Sequence, residues 1–170
     1  MSDVKAKAKA RGIRNNNPGN IRHAGTLWQG QSKAQSDKAF ITFNTPEMGI
    51  RAMARILLNY QIHHKLDTVD GIIHRWAPPK DHNDTPAYVN AVAIGVGVKP
   101  NDHIDLKGNP VVLNKLVNAI ITHENGSNPY SPTVISAGVN LAAGDHSQPH
   151  RDRSHAHRLH AHAAHSQSTP

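Results

Sequence analysis

Glu124 is one of only two glutamates in this 170-residue chain, and its position suits acid catalysis. It ends an apolar stripe with a helical period, and a Gly/Asn/Pro-rich turn follows it. The stripe consists of Leu113, Leu116, Val117, Ile120 and Ile121. A carboxyl at the edge of an apolar face loses hydration, which raises its pKa and lets it keep a proton near neutral pH. The pattern predicts a general acid; the alternative is a solvated Glu before a glycine C-cap.

The other glutamate, Glu47, is predicted to be structural. The run Asn44-Thr45-Pro46-Glu47 has the order of a capping box with proline in the first helical turn. The helix dipole and the capping bond stabilise a negative charge at that place, and a carboxylate held charged is a poor proton donor.

Four asparagines surround Pro18-Gly19, namely Asn15, Asn16, Asn17 and Asn20. Asparagine is common in turns, because it tolerates left-handed backbone and bonds its own main chain. Four amides in six residues exceed what a turn requires, and amides suit N-acetylated sugars. Arg22 adds forked donors for a lactyl or peptide carboxylate.

Aromatic side chains supply further candidates for sugar binding. Trp28 is a candidate to stack on a pyranose face, whereas Trp76 lies on a helical apolar stripe and is predicted to be core. Tyr88 and Tyr130 are candidate hydrogen-bond donors near the reacting acetal. The predicted substrate-binding residues are Asn15, Asn17, Asn20, Arg22, Trp28, Asn83, Tyr88 and Tyr130.

Capping and breaking signals predict four helices that would position these residues. They run from Asn44 to about His64, from Asp67 to the Pro78-Pro79 pair, from Asp84 to Gly95 or Gly97, and from Asn109 to Glu124. Leu27-Trp28-Gln29 and residues 40–43 are predicted to form a short hairpin. The sequence therefore predicts a mainly α (α+β) domain with one small β-hairpin.

The chain divides into a basic arm (1–10), a folded domain (11–132) and a flexible His-rich tail (133–170). The net charge of +7 favours an anionic polymer or surface as partner, and the tail is a candidate contact to such surfaces. No cysteine is present, and His63, His64 and His74 lack zinc-ligand spacing, so neither metal nor cofactor is expected. No signal peptide or transmembrane segment is predicted.

Several motifs resemble those of peptidoglycan-cleaving enzymes. The segment Glu124-Asn125-Gly126-Ser127-Asn128-Pro129 resembles the Glu-Ser-Gly-x-Asn-Pro turn of soluble lytic transglycosylases, with Asn in place of Ser, and the resemblance implies that Glu124 is the catalytic acid. The segment 16–52 resembles the region after the catalytic helix of autolysin and flagellar glucosaminidases. Residues 84–88 are similar to their Thr-Asp-Pro-x-Tyr motif, and the order from Arg11 to Pro132 resembles small virion-structural or lysozyme-like phage proteins.

In those glucosaminidases the acidic helix precedes the Asn-rich turn, whereas no Glu precedes Asn15 in this chain. We therefore expect a circularly permuted lysozyme-like domain in which the turn from Asn15 to Arg22 lies against the end of the Glu124 helix. Permutation is physically plausible because domain termini often lie close together at the surface.

Two functions follow from these patterns. The first is cleavage of the MurNAc-GlcNAc strand of peptidoglycan by a phage-encoded enzyme, located in the virion or in the host cytoplasm before release. A lone Glu124 favours lytic transglycosylation, since hydrolases need a carboxylate pair; Asp81 and Asp84 are the candidates for a partner. The alternative is a non-catalytic virion structural or nucleic-acid-binding protein on the same scaffold, with other virion proteins as candidate partners. No sequence-specific nucleic acid is expected.

Overall fold

The computed structural model describes residues 9–144, which form a mainly helical fold, as the sequence predicts. The helices are α1 (Arg11–Arg14), α2 (Pro46–His64), α3 (Val69–Trp76), α4 (Thr85–Val96), α5 (Pro110–Asn125) and α6 (Pro132–Gly144). A short 3-10 turn, Pro79–Asp81, joins α3 to α4. The four predicted helices are confirmed as α2 to α5, while α1 and α6 were not predicted.

Side-chain caps set the starts of the four long predicted helices. The side chain of each N-cap residue accepts a hydrogen bond from a backbone N–H of the first turn; the caps are Thr45, Thr68, Asp84 and Asn109. Proline occupies the first or second position of α2, α4 and α5, where its missing N–H costs nothing. The cap of α2 is Thr45 rather than the predicted Asn44. These caps fix where α4 and α5 begin, and hence where their site residues lie.

Helix α2 is the centre of the molecule. Every residue from Gly49 to Tyr60 is buried, so this helix is enclosed on all sides rather than on one stripe. Helices α3, α5 and α6 pack against it. No helix within residues 9–144 is long and apolar enough to cross a membrane.

The predicted hairpin is not confirmed. In the described part of the chain, two isolated antiparallel bridges, Arg22 to Phe40 and Gln31 to Phe43, stand in its place. The residues 27–29 enter a turn in which Gln31 N–H donates to Trp28 O, so they cannot run along a partner strand. Beyond this turn, backbone bonds from Ser32 N–H to Thr42 O and from Asn44 N–H to Gly30 O form the second bridge, and the Gln35 side chain adds bonds to the N–H and the carbonyl of Thr42.

The packed part of the chain extends beyond the predicted domain boundary at residue 132. Helix α6 lies beyond it, and its Ile135, Val139 and Ala142 are at most 1% exposed in the core. Small residues separate these apolar positions, which gave the segment the composition of a flexible linker. The rest of the predicted tail and residues 1–8 of the predicted arm lie outside the described residues.

Candidate active site

The Glu124 side chain accepts hydrogen bonds from three different elements. Tyr88 Oη on α4 lies 2.7 Å from Oε2, and Trp76 Nε1 at the end of α3 lies 3.4 Å from the same oxygen. Asn20 Nδ2, in the Asn-rich turn, lies 2.9 Å from Oε1. Gly126 ends α5 just beyond, in a left-handed conformation (φ 76°). The helix end thus presents one carboxyl to a ring of neutral donors.

Burial raises the pKa of Glu124 from its ordinary 4.5 to about 7, although the hydrogen bonds from Tyr88, Asn20 and Trp76 oppose the rise. The residue as a whole remains partly exposed, so its buried carboxyl stands near the surface. A carboxyl of this kind carries a proton in about half of the molecules at neutral pH. That is the property predicted for a general acid from the apolar stripe of α5.

Two aromatic residues form the wall of this site. Tyr88 is 2% exposed and its hydroxyl donates to Glu124, while its predicted role in substrate binding stays a prediction. Trp76 is fully buried, as predicted, but its contact with Glu124 was missed. The available signal was the indole N–H, since a buried indole usually finds an acceptor.

His123 stacks on Tyr88 from the outer side. The two ring centroids are 3.9 Å apart with an angle of 36° between the planes. Burial lowers the pKa of His123, and the negative charge of Asp84 at the start of α4 opposes this shift. His123 was not among the predicted site residues.

The Asn-rich turn lies against the end of α5, as predicted. Besides the bond from Asn20 to Glu124, Asn125 Nδ2 donates to Pro18 O at 2.9 Å. These two bonds join segments more than 100 residues apart in sequence. The turn and the helix end therefore form one site.

Asn15 and Asn17, which were predicted to bind substrate, are instead buried and bonded within the protein. Asn17 is fully buried; its Nδ2 donates to Ile21 O and Ile41 O, and its Oδ1 accepts from Ile21 N–H. Asn15 is also buried and donates to Asp37 Oδ2 at 2.9 Å. Both side-chain amides form their hydrogen bonds inside the protein, where they pair with polar groups of an irregular segment.

Trp28, which was predicted to stack on a sugar ring, is buried instead. It is 2% exposed and belongs to the hydrophobic core, so it offers no face to a sugar ring. The turn at residues 28–31 directs the indole inward, whereas the predicted strand would have left one face in solvent.

The remaining predicted binding residues lie outside the ring of donors around Glu124. Arg22 is partly exposed and stacks on Phe40, with its guanidinium carbon 4.8 Å from the ring centroid. Asn83 donates to Pro78 O in the loop between α3 and α4. Tyr130 is half-buried, and burial raises its pKa to about 12. Its hydroxyl therefore stays protonated at neutral pH.

A cavity of about 680 Å³ opens beside the end of α5. It is lined by Lys9, Ala10, Ile13, Asn125, Gly126, Ser127 and Pro129. It thus borders the residue that follows Glu124 and combines an apolar floor with one exposed ammonium group.

The carboxylates considered as partners occupy other roles. Glu47 lies in the first turn of α2, as predicted. Asp84 caps α4 by accepting from Ala87 N–H, and Asp81 is buried in the 3-10 turn. Within residues 9–144, none of the groups that set the charge of Glu124 is a carboxylate, and no cluster of three potential metal ligands occurs.

No family model matches this chain. The chain is similar to the curated Protein P5 of Pseudoalteromonas phage PM2, with 43% identity over 141 residues. The matched region covers 81% of this chain and 85% of that protein.

Proposed function

The chain belongs to the family of Protein P5 of Pseudoalteromonas phage PM2, and from this phage setting and the Glu124 geometry we propose that it cleaves the glycan strand of bacterial peptidoglycan. The observation that carries the proposal is the Glu124 carboxyl, held by three neutral donors with a pKa raised to about 7. We assign it to a lysozyme-like, permuted domain carried in the virion or released at lysis.

In the proposed reaction Glu124 gives its proton to the glycosidic oxygen between MurNAc and GlcNAc, and the bond to the muramyl anomeric carbon breaks. Glu124 is then a carboxylate. Tyr88 and Trp76 donate to Oε2 and stabilise the new charge. The carboxylate takes the proton of the muramyl 6-hydroxyl while that oxygen bonds to the anomeric carbon. A 1,6-anhydro ring results, and the proton is back on Glu124.

We expect 1,6-anhydromuramyl products, because hydrolysis needs a second carboxylate and none of the described carboxylates is among the groups around Glu124. Mass spectrometry of digested glycan strands measures this directly. Products heavier by one water would identify a muramidase or glucosaminidase, and Asp81, Asp84 and Glu47 would then be tested as partners.

The cavity beside α5 suits the peptide-bearing part of the strand, since stem peptides combine small apolar groups with carboxylates. Lys9 is the cation that borders it. We expect Lys9→Glu to raise the half-saturating concentration of peptide-bearing strands by about three- to tenfold, the effect of reversing one exposed charge contact. Strands stripped of peptides should be cleaved as before.

Lys33→Glu is the matched control, because Lys33 is exposed and does not line this cavity. An equal rise in the half-saturating concentration of stripped strands would mean that Lys9 does not contact the peptide. An equally large effect of Lys33→Glu would show that the Lys9→Glu result comes from the change in net charge and not from the cavity.

The net charge of +7 also suits a non-catalytic virion protein that contacts nucleic acid. A zymogram on purified peptidoglycan, run beside a DNA gel shift over a range of salt concentrations, separates the two functions. Clearing of the wall layer by the parent protein supports the enzyme. A salt-sensitive shift without clearing supports the alternative.

A further inference from the structure

Two buried oxygens beside Glu124 have no hydrogen-bond partner among the described residues. They are Asn20 Oδ1 and Asn125 Oδ1. The nitrogen of each amide is in use, since Asn20 Nδ2 donates to Glu124 Oε1 and Asn125 Nδ2 donates to Pro18 O and Ile121 O. Buried acceptors are nearly always paired, so two orphans in one site require an explanation.

Both oxygens lie around Gly12 of α1. A Cβ on Gly12 would lie 2.7 Å from Asn20 Oδ1, 2.8 Å from Asn125 Oδ1 and 2.7 Å from Asn17 O. Glycine is therefore required here by the close approach of three acceptors. If one of the three were a donor, it could bond to its neighbours.

The Asn20 amide can supply that donor. A half-turn about its terminal side-chain torsion exchanges Oδ1 and Nδ2, and such torsions are broad and roughly two-fold. After the exchange Nδ2 takes the place of Oδ1 beside Gly12, the position around which Asn125 Oδ1 and Asn17 O also lie, while Oδ1 takes the place of Nδ2 beside Glu124 Oε1. The new arrangement pairs both orphans, provided that Glu124 Oε1 carries a proton to donate.

We propose that the Asn20 amide makes this half-turn each time Glu124 gains or loses its proton. With Glu124 protonated, Oε1–H donates to Asn20 Oδ1, and Asn20 Nδ2 donates to the oxygens around Gly12. With Glu124 ionised, Nδ2 donates to Oε1, as in the structure. The inference rests on the proposed function in one respect only, which is that the proton of Glu124 is the one transferred to the glycan.

The other groups around the carboxyl leave Oε1 to Asn20. Tyr88 and Trp76 both donate to Oε2, so a proton on the acid is best placed on Oε1. His123 contacts Tyr88 rather than the carboxyl, and Asp84 acts on His123. Asn20 is thus a positioning residue that supplies an acceptor to the acid and a donor to the carboxylate.

The orientation of the Asn20 amide is measurable by NMR, because the Gly12 α protons lie next to the position of Asn20 Oδ1. We expect strong NOEs from the Asn20 side-chain NH₂ to Gly12 at pH 5 and markedly weaker ones at pH 9, because the half-turn moves the NH₂ away from Gly12. Glu124→Gln is the matched control, since its NH₂ donates as the acid does; there the Gly12 NOEs should stay strong at both pH values. NOEs to Gly12 of equal strength at the two pH values in the parent protein would overturn the proposal.

A titration tests the energetic coupling. Glutamate labelled with ¹³C at the side-chain carboxyl gives two signals in this chain, Glu47 and Glu124, and loss of one in Glu124→Gln assigns them. We expect Asn125→Ala to lower the pKa of Glu124 by about 0.4 to 1 unit, the equivalent of one neutral hydrogen bond lost from the protonated state. Asn114→Ala, the same change near the start of α5, should leave it unchanged.

An unchanged or higher Glu124 pKa in Asn125→Ala would contradict the coupling. Neither measurement uses a substrate, so a protein that shows both effects but fails to cleave peptidoglycan would refute the proposed function and leave the amide half-turn standing. The reverse pattern, cleavage without the NOE change, would refute only the half-turn.

Discussion

Replacing Glu124 by glutamine is expected to stop the clearing of peptidoglycan while the protein stays folded. Glutamine keeps the shape of the side chain, and its amide can bond to Tyr88 and Asn20, the two nearest partners of the carboxyl. It has no acidic proton to transfer to the leaving oxygen, and general acids contribute about two to four orders of magnitude in rate. Wall-clearing rates of the purified parent and variant measure the loss.

The same substitution is expected to stabilise the protein above neutral pH. The pKa of Glu124 rises from 4.5 to about 7 on folding, so between these values the folded state holds a proton that the unfolded state has released. The parent protein therefore loses stability as pH rises through this window, by up to about 3 kcal/mol. Glutamine does not titrate. The gap between variant and parent should open between pH 4.5 and 7 and stay constant above, as thermal unfolding at pH 4.5 and pH 8 would show.

Glu47→Gln is the control for both effects. Glu47 lies in the first turn of α2, away from the three donors that hold Glu124. We expect it to keep its clearing activity. The opposite result, activity lost in Glu47→Gln and retained in Glu124→Gln, would reverse the assignment of the acid.

The pairing of the Asn-rich turn with Glu124 was expected from the resemblance to glucosaminidases and not from local chemistry, since the two segments are more than 100 residues apart. Helix starts were predictable from the residues themselves, since Thr68, Asp84 and Asn109 cap their helices through local bonds that depend on a few adjacent residues. Local chemistry of this kind needs no knowledge of the rest of the fold.

Which of the asparagines contacts Glu124 was not predictable in the same way. Asn15, Asn17 and Asn20 share one residue type and one segment, yet only Asn20 reaches Glu124. Which amide points inward depends on the long-range contacts to Asp37 and Ile41, and these have no signal in residues 15–20. The same reason explains Trp28, whose burial follows from a turn that the alternating pattern did not reveal.

Helix α6 was missed because its apolar face is made of a few small and β-branched residues rather than a strong stripe. Its Gly138 brings it close to α2, where an added Cβ would lie 2.6 Å from Ile50 Cβ and 2.9 Å from Glu47 O. Helices in such close contact are stabilised by packing and not by intrinsic propensity. The composition of the segment alone therefore suggested a linker.

A chain that ends at Ser131 is expected not to fold, whereas a chain that ends at Gly144 is expected to keep both fold and activity. The shorter chain loses Ile135, Val139 and Ala142 from the core and exposes the face of α2 that they cover. Two large side chains contribute about 1.5 to 3 kcal/mol each when buried, and the uncovered face of α2 adds a similar amount. The loss is comparable to the total stability of a domain, about 5 to 15 kcal/mol.

The two truncated chains differ only in α6, so circular dichroism and thermal unfolding of both isolate its contribution. The Arg55 guanidinium donates to Ala142 O at 3.1 Å and so holds the last turn of α6 to the central helix, which is why the longer chain must include that turn. Cooperative unfolding of the chain that ends at Ser131 would show that α6 is dispensable and would restore the boundary at residue 132. Failure of the chain that ends at Gly144 would instead place an essential part of the fold among residues 145–170.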